Sequence, residues 1–365
     1  MTLFPDIEKR YTTEQFSAAE AQQLAHVYSW GPVVFQVARL MRKYGIFALL
    51  DKADKGLTID EIAEQTHLTN YAVKCLLEAS LTMQTVLIDT ATDRYTLSKV
   101  GWFLLKDDII SVNIDFNHDV NYEGFFLLDK ALETGKPVGL KHFGDWPTLY
   151  EGLSRLPEDA KRSWFAFDHY YSDHSFAEAL NILLARNSRH ILDVGGNTGK
   201  FARFVTERVP DAEVTICDLP QQLQMMRTEC VGHIGENRIH GHEMNLLAPQ
   251  ASFPATQRFD AIWMSQFLDC FSEKQIVSIL RRAADILDDK NRLYIMETLW
   301  DRQKYAPAAF CLTMTSLYFT AMANGNSKMY NTDDLSRLIR QAGLTIETVC
   351  DNVGMGGHSV LIVKK

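Results

Sequence analysis

The chain predicts a doubly wound, Rossmann-like α/β sheet preceded by an α-rich winged-helix dimerisation domain. Three observations carry that prediction. From Arg189 onward, apolar strand-like runs alternate with amphipathic helical stretches. Before them, residues 12–97 read as helices followed by two short strands. Between them, residues 113–186 are rich in aromatics.

The elements follow in order. Pro32 suits the first turn of a helix with Val33, Val37, Leu40 and Met41 on one face, and Gly45 closes it. Thr58 and Glu61 form a capping-box pattern ahead of Ile59 and Ile62. Thr69 caps a helix carrying Val73, Leu76 and Leu77. The runs Val86–Ile88 and Arg94–Leu97, joined by a polar turn from Asp89 to Asp93, complete a winged helix. Such domains often read DNA through their second helix. Here Lys74 is the lone Lys or Arg from Thr69 to Thr82, and Glu78 opposes it. That favours dimerisation over phosphate contact.

The aromatic segment (Phe116, Tyr122, Trp146, Tyr150, Trp164, Phe167, Tyr170 and others) reads as helix–helix core that in part lines a pocket for a flat ring. Predicted strands then run over His190–Val194, Glu213–Cys217, Phe259–Ser265, Arg292–Met296, Leu344–Cys350 and Ser359–Val363. Helices over Phe201–Arg208 and Lys274–Leu287 lie between them. Ligands of such a sheet sit at the carboxyl ends of its strands. Those ends carry Asp193, Asp218, Ser265 and Glu297. The division expected is 1–112, a winged-helix dimerisation domain; 113–186, a helical connector; and 187–365, the nucleoside-binding domain.

Composition bounds the rest. The chain has 365 residues, 46% hydrophobic and 23% charged, as in ordinary globular proteins. A net charge of −9 disfavours a nucleic-acid partner. No apolar run approaches a membrane span, and the opening residues lack signal-peptide form. Six scattered cysteines without a C-x-x-C pair read as reduced thiols, imply no metal site and point to the cytoplasm.

The most specific stretch is Asp193-Val194-Gly195-Gly196-Asn197-Thr198-Gly199, an acid-ended strand feeding a glycine turn and a helix. Glycines admit close backbone approach, and the helix start presents free N–H groups. Asp218, ending the next strand, can accept both ribose hydroxyls. A dinucleotide site requires G-x-G-x-x-G, which Asn197 and Lys200 break. Asp193 repels a diphosphate and suits a ligand carrying an amine and a sulfonium.

With these motifs the chain resembles the class I S-adenosylmethionine-dependent O-methyltransferases of plant caffeic acid metabolism and bacterial polyketide tailoring. The loop just quoted matches that family with Asn197 for a middle glycine, and Asp218-Leu219-Pro220 matches its ribose-binding Asp-Leu-Pro. Gly241-His242-Glu243-Met244 resembles its adenine-flanking Gly-Asp-Met, and Ser172-Asp173-His174-Ser175 a stretch near cofactor and acceptor. The resemblance implies S-adenosyl-L-methionine as cofactor, S-adenosyl-L-homocysteine as product, a small aromatic acceptor and a homodimer whose winged-helix domain helps close the partner's pocket. It implies cofactor binding by Asp193, Gly195, Gly196, Gly199, Asp218, Leu219, Glu243, Met244, Ser265 and Ser175.

The chemistry motif departs from the family. Where it has His-Asp-Trp-Ser-Asp with His as general base, this chain has Asp269-Cys270-Phe271-Ser272-Glu273. Glu297 keeps the family's acid after the next strand, while Met329 stands where a further Glu is expected. Three base candidates follow. Asp269 is a weak base at its ordinary pKa of ~3.9 unless burial raises it. Its structural alternative is a residue just ahead of the Ser272/Gln275 capping box. Glu297 is the family-matched acid; its alternative is a carboxylate bonded to loop N–H groups. His174 has an imidazole suited to the task; its alternative is a ring that only packs. His169 and His358 are further imidazoles, the latter read as a surface turn after Gly356-Gly357. Loss of the usual His leaves O-methylation, ring C-methylation of a phenol, and a non-methylating relative that binds the cofactor structurally.

Overall fold

A computed structural model describes residues 3–254 and 257–365. Met1 and Thr2, the start of the leader reading above, lie outside the described residues. The chain forms two compact units, Glu14–Asp119 and Met1–Thr13 with Val120–Lys365.

The smaller unit follows its caps. Pro32 sits in the first turn of helix Gly31–Lys43, and Gly45 follows at φ +72°. Thr58 and Glu61 close a full capping box on Ile59–Thr66, and Thr69 accepts the Ala72 N–H to open Asn70–Thr82. Strands β1 (Val86–Asp89) and β2 (Arg94–Leu97) pair antiparallel as the wing. Met41, Phe47, Ile62, Val73 and Leu77 form the core between them. Arg94 bonds both oxygens of Glu61, which ties wing to helix. Helix Ala18–Ser29 buries none of its residues.

In the larger unit the described strands are β3 (His190–Val194), β4 (Glu213–Asp218), β5 (Ile239–Glu243), β6 (Ala261–Ser265), β7 (Arg292–Glu297), β8 (Thr345–Val353) and β9 (His358–Lys364). They form one sheet in the order β5-β4-β3-β6-β7-β9-β8. The pairs from β5 to β7 are parallel, and β9 runs antiparallel to both neighbours. Central strands β3, β6 and β7 are almost wholly buried, as strands covered on both faces must be. Apolar layers cover the sheet on each side.

Four expectations need correction. Strand β5, Ile-His-Gly-His-Glu, escaped the periodicity because it is a polar edge strand with one buried residue. The boundary at 112 moves: helix Pro5–Thr12 belongs with the larger unit, where Ile7 is buried and Arg302 lies over the Phe4 ring. His358 is no surface residue; it pairs with Val353 inside the sheet and is fully buried. An apolar run does reach spanning length, the continuous helix Ala306–Ala323. Its composition has a local cause: Leu312, Thr315, Tyr318 and Phe319 line the internal cavity described next.

Candidate active site

The site begins at the carboxyl end of β3. The Gly195 N–H donates to the Cys217 carbonyl at 2.9 Å, the last rung between β3 and β4 before the chain turns. Gly195 and Gly199 adopt φ of +78° and +75°, and Asn197 adopts +50°. Asn tolerates that region better than other residues with a Cβ, which explains why it replaces glycine here. A Cβ at Gly195 would stand 2.3 Å from the Phe267 ring, and one at Gly196 would stand 2.5 Å from Asp193 Oδ2. Gly199 opens the next helix, Lys200–Arg208.

Asp218, ending β4, accepts the Asn197 N–H at 2.9 Å and the Leu219 N–H at 2.7 Å. Each carboxylate oxygen keeps acceptor capacity toward the cavity. Asp193 Oδ2, Asn197 Oδ1 and Gln266 Oε1 are buried with no hydrogen-bond partner in the protein. Three orphaned acceptors around one hollow suit a ligand rich in donors. Burial, and then Asp218, push Asp193 up to about 7. A cationic ligand would draw it down again.

A cavity of about 660 Å³ opens over these strand ends. Asp193, Gly195, Gly196, Asp218, Leu219, Met244 and Ser265 line it. Helices close the far side. Trp164, Phe167, Asp168, Tyr171 and Ser172, spaced as one face of helix Glu158–Asp173, supply one wall. Tyr150 and Tyr318 add to it. The Trp164 Nε1–H donates to the Tyr318 hydroxyl at 2.7 Å.

Asp269 lies on a short turn, Leu268–Cys270, and lines the cavity while almost wholly buried. The Cys270 thiol donates to its Oδ1 at 3.5 Å. Burial first, and repulsion from Asp168, push Asp269 up to about 7. Burial, and then Asp173, push Asp168 up to about 6.

The structure does not bring every predicted residue to this cavity. Glu297 is buried behind it: its Oε1 accepts the N–H groups of Phe267 at 3.1 Å and Leu268 at 2.8 Å. It holds the loop that bears Asp269. His174 is exposed, with Nδ1 2.9 Å from the Tyr170 carbonyl, because helix Glu158–Asp173 ends there and the ring folds back along it. Ser175 is buried, and its Oγ donates to the Ser172 carbonyl at 2.6 Å. Glu243 points to solvent from edge strand β5 and faces Arg227 at 3.5 Å. None of these four lines the cavity. Met329 does, in place of the expected acid. Asp168 and Gln266 do so unforeseen. The signal for Asp168 was an acid inside a helical face otherwise aromatic; for Gln266 there was none beyond its place after a strand end.

Known proteins match along both units. Residues 171–345 match the O-methyltransferase domain family, and residues 22–95 match the Dimerisation2-like domain family. Demethylspheroidene O-methyltransferase of Rhodobacter capsulatus is 23% identical over 46% of this chain, and the match spans 39% of its own length. For (RS)-norcoclaurine 6-O-methyltransferase of Thalictrum flavum the identity is 27% over 42% of this chain, spanning 40% of the relative. The chain thus spans about two-fifths of these relatives. Caffeic acid 3-O-methyltransferase of Medicago sativa matches further, 23% identical over 80% of each chain. Among solved structures, the methyltransferase SibL superposes with a TM-score of 0.70 at 23% identity, covering 93% of this chain and 98% of its own. Mitomycin 7-O-methyltransferase MmcR also gives 0.70, at 16% identity, covering 95% and 98%. These superpositions establish the fold.

Proposed function

We propose that this chain, which joins an O-methyltransferase domain to a Dimerisation2-like domain, is an S-adenosylmethionine-dependent methyltransferase acting on the hydroxyl of a small aromatic acceptor. The observation that carries the reading is the buried Asp193 Oδ2, without a protein partner, in a cavity whose other wall is aromatic. Solved relatives bound to S-adenosylmethionine, and one bound with it to a hydroxylated naphthoic acid, support it.

The residues present fit the cofactor. Asp218 offers its oxygens to ribose hydroxyls, and Leu219 and Met244 flank the base. Asp193 faces the positively charged amino-acid end. Ser265 borders the same hollow. When bound, S-adenosylmethionine supplies a methyl group on sulfonium, open to in-line attack.

The chain's own residues then position and deprotonate. Trp164, Phe167 and Tyr318 hold the ring flat, and alignment of reacting groups provides much of the acceleration. Asp269 takes the phenolic proton onto its carboxylate. Its raised pKa makes it a far better base than an ordinary aspartate, though still below a phenol at ~10. Glu297 acts by positioning that aspartate. A homodimer is supported by the Dimerisation2-like match and by helix Ala18–Ser29, which buries nothing in its own chain.

The test is methyl transfer from labelled S-adenosylmethionine to a panel of phenols and catechols, with products analysed for O- or ring C-methylation. Labelled product, lost in Asp269→Asn, is expected. Tight cofactor binding with no transfer to any acceptor would overturn the reading in favour of a non-methylating relative.

A further inference from the structure

The charge lining the cavity is one-sided. Beyond Asp193 and Asp218, three more carboxyl residues line it: Glu151 at its exposed rim, and Asp168 and Asp269 within. Against them stand Lys200 and His169 among the described residues. Lys200 is engaged, its Nζ 2.9 Å from Asp173 Oδ2. Burial, and then Lys200, lower the pKa of His169, so its ring is neutral at physiological pH. Among the described residues, no arginine lines the wall.

We infer that this cavity takes a neutral aromatic acceptor or one bearing a protonated amine, and rejects aromatic acids, with Asp168 as a specificity-determining residue. The inference rests on reading the cavity as an acceptor site. An acidic guest meets like charge in a poorly solvated space, where repulsion is weakly screened. Both carboxyls lie in the same lining and burial raises each, with Asp168 adding to the rise at Asp269, so a further negative charge there is disfavoured. A carboxylate can enter only if the wall takes up a proton with it. A protonated amine does the opposite, offsetting the negative charge of the ionised wall. Their location suits this role. Asp168 projects from the same helical face as the aromatic wall, so it meets the acceptor beside its ring.

The test uses three catechols of matched size: dopamine, ethylcatechol and dihydroxyphenylacetic acid. Binding to the full chain, saturated with S-adenosylhomocysteine, is read by calorimetry, and methyl transfer is assayed in parallel. At about pH 7.5 the acid is expected to bind at least about tenfold more weakly than the amine, with the neutral compound between them. The gap is expected to narrow near about pH 5.5, below the raised pKa values of Asp269 and Asp168. Asp168→Asn should tighten the acid and weaken the amine, and Glu151→Gln should do the same to a smaller degree. Equal affinity for acid and amine, or no binding by any of the three, overturns the inference. Discrimination in binding without any transfer leaves it standing and defeats the methyl-transfer reading instead.

Discussion

Glu297 accepts the backbone N–H of Leu268 at 2.8 Å, one residue before Asp269. A carboxylate at the end of one strand thus sets the backbone that carries the proposed base. Glu297→Ala strands buried N–H groups, so it is expected to lower unfolding free energy by about 1–3 kcal/mol. Turnover should fall with it, while cofactor affinity is kept. Glu297→Gln retains one acceptor oxygen and should fall between. Chemical denaturation beside steady-state kinetics checks this; a Gln variant of full stability and no turnover would place Glu297 in the proton transfer itself.

Asp269 is expected to make turnover rise with pH through about 7, because a base acts only when ionised. Asp269→Asn should lower kcat by about 10²–10⁴-fold and abolish that rise, without changing cofactor binding. If the residue merely precedes a helix cap, the variant will keep both rate and profile.

Asp193 gives a stability signature. Its folded pKa, about 7, lies above its unfolded value, so its favourable contribution is complete below the unfolded pKa and is lost as pH rises through about 7. Asp193→Asn cannot ionise. The ligand-free variant should therefore gain on wild type as pH rises from about 4 to about 8, by roughly 1–3 kcal/mol at the upper end. Cofactor affinity should collapse in the same protein. Thermal melts across pH, with and without S-adenosylhomocysteine, measure both effects; a difference independent of pH would show that Asp193 does not titrate in this window.

Gly196→Ala probes the turn. The new Cβ would sit 2.5 Å from Asp193 Oδ2, and the backbone there needs no positive φ. The carboxylate must swing aside, so cofactor affinity should drop about tenfold or more while the fold persists. Titration calorimetry beside circular dichroism separates the two, and unchanged affinity would mean that Asp193 does not hold the ligand.

The fold was legible where patterns are local. Caps at Thr58 and Thr69, Pro32, the glycine turn and the buried strands each announce themselves within a few residues. Strand β5 was hidden because an edge strand can be polar on both faces. The part of the cavity over the strand ends was readable for the same local reason: Asp193, Gly195, Gly196 and Asp218, which line it, fall on strand ends and the turn itself. Side-chain direction was not. His174 and Glu243 sit in recognisable stretches, yet a helix end and a sheet edge turn them outward. Glu297 needed the position of a loop some thirty residues earlier, which no spacing reveals. Asp168 and Asp269 line one cavity only because a helix and a strand-end turn converge on it.

The two ends of the cavity are written in different materials. Around Asp218 and the glycine turn, main-chain atoms draw much of the shape. Around Trp164 and Tyr318, side chains on separate helices draw it. Drift therefore acts on them unequally. A point mutation on a helical wall reshapes one end of the cavity and leaves the glycine turn intact, whereas at the other end only the few side chains on strand ends, Asp193 and Asp218 among them, can be exchanged without bending the chain. Under the proposed function, such a division lets the acceptor end vary while the methyl-donor end stays fixed.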